Sequence, residues 1–84
     1  MTNATMGQIT IVYREETQQF STVSQASHFL RQDRIKVGWF HKVKAAVDLM
    51  SDGKVSQTRH LKGDKHRIMK ALEHLESDLK PSNV

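Results

Sequence analysis

Ile9, Ile11 and Tyr13 occupy alternate positions, with Thr10 and Val12 between them. That period of two, rich in β-branched residues, predicts a strand over residues 8–13. Arg14, Glu15, Glu16, Thr17 and Gln18 are polar and few enough for a hairpin connection. Residues 19–23 then predict a second strand, Phe20 and Thr22 alternating with Ser21 and Val23. Two strands alone are marginal in water, so they need helices on one face or a strand from another molecule. Beyond them the period lengthens. Ser24 suits a helix cap, and Ala26, Phe29 and Leu30 share one face of a short helix over residues 24–30. Phe40, Val43, Val47 and Met50 step by 3, 4 and 3, which predicts a second helix. It starts between residues 34 and 39, is flanked by Trp39 and Ala46, and ends at Asp52-Gly53. Residues 54–63 follow neither period, and with Val55 and Leu61 as their apolar anchors they predict a loop or one extended segment. Asp64 caps a last helix whose Ile68, Leu72, Leu75 and Leu79 step by 4, 3 and 4, widened by Met69 and Ala71. Pro81 ends it, because proline removes a helical donor.

The expected fold class is therefore α+β: an N-terminal two-stranded β-hairpin followed by three helices packed on one face. Residues 8–80 form one small domain between tails at 1–7 and 81–84. With 84 residues the chain has room for one core. A domain of this size buries only about 60–65% of its unfolded surface. Cysteine is absent, which removes disulfides, thiolate metal sites and cysteine nucleophiles together. Deep catalytic pockets commonly approach several hundred cubic ångströms and are hard to build in so short a chain. The expectation is a non-enzymatic protein. The longest apolar runs are three residues, such as Ile11-Val12-Tyr13, so no membrane partner is expected. Without a signal-like amino terminus the expected location is cytoplasmic.

Charge sharpens this picture. The net charge of +4 divides into −1 over residues 1–30, +7 over residues 31–70 and −2 over residues 71–84. His41, His60 and His66 lie inside the basic middle and reinforce it when protonated. Clustered cations attract polyanions, and each phosphate neutralised releases condensed counterions. A solvated lysine-rich surface has the same composition, so geometry must decide between them.

Two segments carry the cations. Over residues 22–43, a capped short helix, a polar break and a second helix follow one another. Ala26 and Ser27 would face the partner helix, Leu30 would fill the joint, and Val37 with Phe40 would anchor the reading helix. In outline this stretch resembles the compact helix-turn-helix of excisionase-type DNA binders, although Arg31-Gln32-Asp33 stands where such turns favour glycine. The resemblance implies a second helix entering the major groove and leaves Arg34, Lys36, His41, Lys42 and Lys44 for phosphates or base edges. The second segment runs from Lys54 through Arg59, His60, Lys62, Lys65, His66, Arg67 and Lys70, around a helix amino terminus that favours anions. Phe40 belongs to the predicted buried stripe. Trp39 beside it reads either as core or as an exposed anchor that stacks on unpaired bases.

Other chemistry is not encoded. His60, His66 and His74 are six and eight residues apart, not the four that sets two imidazoles on one helical face. No glycine-flanked serine, convergent carboxylate pair or phosphate-cradling glycine loop is present. The sequence thus predicts no catalytic residue, metal or cofactor. It predicts a nucleic-acid-binding or regulatory protein whose DNA or RNA contacts come from Arg31, Arg34, Lys36, Trp39, Lys42, Lys44, Arg59, Lys62, Lys65, Arg67 and Lys70. The alternative is an interaction module or inhibitor that docks on a protein partner, or on a second copy as a homodimer, through a strand edge or the C-terminal helix.

Overall fold

In a computed structural model the chain folds into a four-stranded antiparallel sheet with two helices on one face. The structure describes residues 5–38 and 40–79. Strand β1 (Thr5–Tyr13) turns through Arg14-Glu15 into β2 (Glu16–Phe20), and α1 (Val23–Leu30) follows. A long connection over residues 31–42 leads into β3 (Val43–Ser51), then β4 (Lys54–Gly63) and α2 (Lys65–Leu79). The sheet order is β2-β1-β3-β4, with β2 and β4 at the edges.

This corrects the expected hairpin and three helices. The predicted middle helix is strand β3. Its buried residues are Val43, Ala45, Val47 and Leu49, an alternation that coexists with the helical spacing of Phe40, Val43, Val47 and Met50. What decides is the turn. Asp52 and Gly53 have φ of 55° and 75°, and they link β3 to β4 as a two-residue connection with both central residues left-handed. That conformation matches the twist of an antiparallel pair, and Asp-Gly is among its preferred sequences. A dipeptide read as a helix terminus is the apex of a hairpin, so residues 54–63 become a strand rather than a loop. The helix-turn-helix outline falls with it, since the described residues between α1 and β3 form no second helix.

Smaller boundaries shift as well. β1 begins at Thr5, opposite Met50, and β2 begins at Glu16 rather than at residue 19. The cap of α1 is Thr22 and not Ser24: the Gln25 amide donates to Thr22 Oγ1 at 3.1 Å, and Gln25 Oε1 accepts the Ser21 amide at 3.1 Å. Asp64 caps α2 as expected, its Oδ1 accepting the Arg67 amide at 2.9 Å. The helix is described as far as Leu79, and the end expected at Pro81 and the tail at residues 81–84 lie outside the described residues.

One core fills the space between sheet and helices. Ile9, Ile11, Tyr13, Val43, Ala45, Val47 and Leu49 point from the sheet toward Ala26, Phe29 and Leu30 of α1 and Ile68, Leu72 and Leu75 of α2. The connection also contributes. Ile35 is fully buried, and burying such a side chain is worth about 1.5–3 kcal/mol. Phe40, expected in the core, is instead 81% exposed, and Val37 is half exposed. No described helix is long and apolar enough to cross a membrane.

Candidate nucleic-acid interface

The register brings distant cations to one end of the sheet. Glu16, Tyr13, Val43 and Gly63 form its last row, so the β1–β2 turn, the entry to β3 and the start of α2 all meet there. Helix α1 begins beside the far end of β2 and runs back, which delivers the connection over residues 31–42 to the same end. Four residues of that connection, Arg34, Ile35, Lys36 and His41, are tied down. Arg34 grips Glu16 with both guanidinium ends, at 2.9 and 2.7 Å, and lies 5.1 Å over the Phe29 ring. The Lys36 amide donates to Tyr13 Oη at 3.3 Å, and Lys65 Nζ donates to the Ile35 carbonyl at 2.5 Å. Arg14 Nη2 donates to His41 Nδ1 at 3.1 Å.

Nine of the thirteen Lys/Arg residues collect here: Arg14, Arg31, Arg34, Lys36, Lys42, Lys44, Lys62, Lys65 and Arg67. Four of the nine acids accompany them, Glu15, Glu16, Asp33 and Asp64. The other five acids, Asp48, Asp52, Glu73, Glu76 and Asp78, lie farther along the strands or toward the other end of α2. The folded chain is therefore polar in charge from end to end.

Not every cation is available. Arg34–Glu16 is the one ion pair among the described residues. The guanidinium beside Glu16 holds its carboxyl below the usual carboxylate range. Arg34 and Lys65 thus act chiefly as fasteners. The side chains of Arg31, Lys36, Lys42, Lys44, Lys62 and Arg67 make no hydrogen bond or ion pair with a described residue.

Lys44 and Lys62 form the most informative pair. They sit directly opposite each other on β3 and β4, on the sheet face that neither described helix covers. Opposed residues in an antiparallel pair hold their Cβ atoms roughly 4.5–5.5 Å apart, and like charges there are destabilising. The acid on that face of β3, Asp48, lies farther along the strand and accepts a hydrogen bond from Thr58 at 3.1 Å. Beside the pair, Lys42, Gly63, Asp64 and Arg67 line a depression of about 270 Å³. Gly63 keeps it open: its φ is +154°, and an added Cβ would fall 2.6 Å from Arg67 Cδ.

The remaining candidates stand apart. Arg59 points to the helix-covered face opposite Val47, in a cleft shared with Leu61, His74 and Asp78. Lys70 continues the Arg67 face of α2 one turn on. Trp39 lies outside the described residues. Sequence reasoning missed Arg14, which is far from the basic middle in the chain and reaches it through the β1–β2 turn. Arg14 holds φ at +57°, an uncommon conformation for a residue with a side chain. Among the described residues no group of three or more His, Asp or Glu is arranged to hold a metal ion. Comparison with protein-family models, curated proteins and solved structures finds no significant match.

Proposed function

We propose that this is a small non-enzymatic protein that binds nucleic acid by its phosphates, through the end of the sheet where Lys42, Lys44, Lys62 and Arg67 converge. The observation that carries the reading is the Lys44–Lys62 pair. The fold tolerates two like charges face to face, with no acid between them, inside a larger cluster of uncommitted cations. Local conflicts of this kind are characteristic of functional surfaces, because a bound anion relieves them. The depressions elsewhere on the described surface are open and hold no convergent catalytic groups, which favours a binding role over a chemical one.

The test is the salt dependence of affinity. Six uncommitted cations, each displacing about 0.7 counterions from a single strand, predict a slope of log K against log salt near −4. Fluorescence anisotropy of a labelled oligonucleotide across added salt measures it. A steep negative slope supports the reading, and no binding at low salt removes it.

A protein partner is the second reading, and one observation favours it. Strand β4 is ten residues long and its outer edge pairs with no described strand. Such an edge accepts a strand from another chain. The C-terminal helix offers less, since Ile68, Leu72 and Leu75 are buried in the protein's own core. Lys54, Arg59, His60 and Lys62 on the edge oppose self-pairing, so a stable dimer in sedimentation would favour this reading over the first.

A further inference from the structure

We propose that this protein takes a nucleic-acid strand by its end, seating a terminal phosphate monoester in the depression lined by Lys42, Gly63, Asp64 and Arg67. This rests on the reading of the basic end as a phosphate surface. Three elements meet at the depression. Lys42 closes the connection that enters β3, Gly63 ends β4, and Arg67 stands in the first turn of α2. Lys42 and Arg67 are both exposed, and neither side chain is engaged by a described residue. Gly63 seats one of them. Its missing side chain makes room for the Arg67 stem: a Cβ there would lie 3.3, 3.1 and 2.6 Å from Arg67 Cβ, Cγ and Cδ. A stem packed against main chain has less freedom to lose when its guanidinium binds. The helix end itself offers little, because Asp64 Oδ1 already accepts the Arg67 amide at 2.9 Å.

Size and charge suit an end better than the middle of a strand. About 270 Å³ lies below the roughly 300 Å³ at which small-molecule pockets begin, which is room for one phosphate and part of its sugar. A diester within a strand carries a single charge, and the chain must leave it in both directions. A terminal monoester carries about −1.5 to −2 charges at pH 7 and three acceptor oxygens, so it can meet the Arg67 fork and the Lys42 ammonium together. Asp64 opposes any anion here, but two cations against one acid leave the lining net positive. Its pull scales with ligand charge and is about doubled for a dianion. One ladder row inward, Lys44 and Lys62 face each other. They offer a partner to the next phosphate of a strand and nothing to a free phosphate ion.

The experiment follows the wild type, Lys42→Gln, Arg67→Gln and a Lys54→Gln control by fluorescence anisotropy. The probe is a short oligothymidine labelled on an internal base, carrying a phosphate on its first sugar, a phosphate on its last sugar, or hydroxyls at both ends. Inorganic phosphate and thymidine monophosphate serve as competitors. The inference expects the wild type to bind at least one phosphate-ended strand about ten-fold or more tighter than the hydroxyl-ended strand, the gain of one charge-assisted hydrogen bond. Lys42→Gln and Arg67→Gln should each lose most of that preference while binding the hydroxyl-ended strand with a far smaller loss, and Lys54→Gln should keep it. Both side chains are exposed, so circular dichroism should show unchanged folding. Equal affinity for all three strands, a preference that survives both substitutions, or one lost equally in the control would overturn the inference and leave the phosphate surface standing. Competition by either small phosphate as strong as that by the strand would assign the depression to a free ligand and overturn it too. Failure of the wild type to bind any oligonucleotide at low salt removes the phosphate reading with it.

Discussion

Lys62→Glu should make the protein more stable and a weaker ligand for polyanions at the same time. In the native sheet Lys62 faces Lys44 directly, and like charges so opposed cost about 0.2–1 kcal/mol. Reversing one charge replaces repulsion with attraction of similar size, a swing of about 1 kcal/mol. For a domain of this length that corresponds to a rise in Tm of about 4–8 °C. Both side chains are in water, so the gain should shrink as salt screens the pair. Binding moves the other way. One cation is lost, and Lys44 is now neutralised from within the sheet, so the salt slope should flatten by about 1.4 for two phosphate contacts on a single strand. Thermal melts by circular dichroism at low and high salt give the first quantity, and anisotropy titrations give the second. Lys54→Glu is the control. It makes the same formal change beside the β3–β4 turn, away from the cluster, and should leave the slope unaltered. A Lys62→Glu protein that melts lower than the wild type, or binds with an unchanged slope, would refute the argument.

Three further predictions follow from the same geometry. Ile35→Ala should cost about 2–5 kcal/mol in urea denaturation, because the side chain is fully buried although it lies outside every helix and strand; a cost below about 1 kcal/mol would show that the connection is not part of the core. Ser27→Ala should stabilise by about 1 kcal/mol, since Ser27 Oγ is buried with no hydrogen-bond partner among the described residues; a loss of stability would mean that the hydroxyl is satisfied. The Glu16 carboxyl is held low chiefly by its hydrogen bond to Arg34, so its contribution is present above the ordinary carboxylate range and fades as pH falls through the lowered value. Melts of the wild type and Glu16→Gln should therefore differ near neutrality and converge on acidification, whereas a gap that persists in acid would contradict the assignment.

The two ends of the chain were legible in the sequence, and its middle was not. In β1 the alternation of Ile9, Ile11 and Tyr13 has no competing helical reading, and in α2 the spacing of Ile68, Leu72 and Leu75 has no competing strand reading. Residues 43–50 satisfy both periods at once: Val43 and Val47 are four apart, which serves one helix face and one strand face equally. One local signal separates the readings, the Asp52-Gly53 turn, since only Val43 and Val47 of the nine residues in β3 are β-branched. Edge strand β4 hid for a different reason. A sheet edge exposes both faces, so apart from Leu61 its described side chains are polar or exposed, and no alternation survives. The site was legible as a list of cations but not as a surface. Lys44 and Lys62 are 18 positions apart in the chain, and only the hairpin, with its extra residue at Ser56, sets them opposite. Arg34 and Lys65 look equivalent to their neighbours in sequence, yet their partners Glu16 and the Ile35 carbonyl come from other elements.

A titration of isotopically labelled protein with an oligonucleotide, followed through backbone amide shifts, tests the central claim most directly. The account predicts that the largest changes fall on Arg14, Lys42, Lys44, Lys62 and Arg67, while amides around Asp52 and the end of α2 stay still. Changes centred on the β3–β4 turn or on the acidic half of α2, or none at saturating oligonucleotide and low salt, would contradict it.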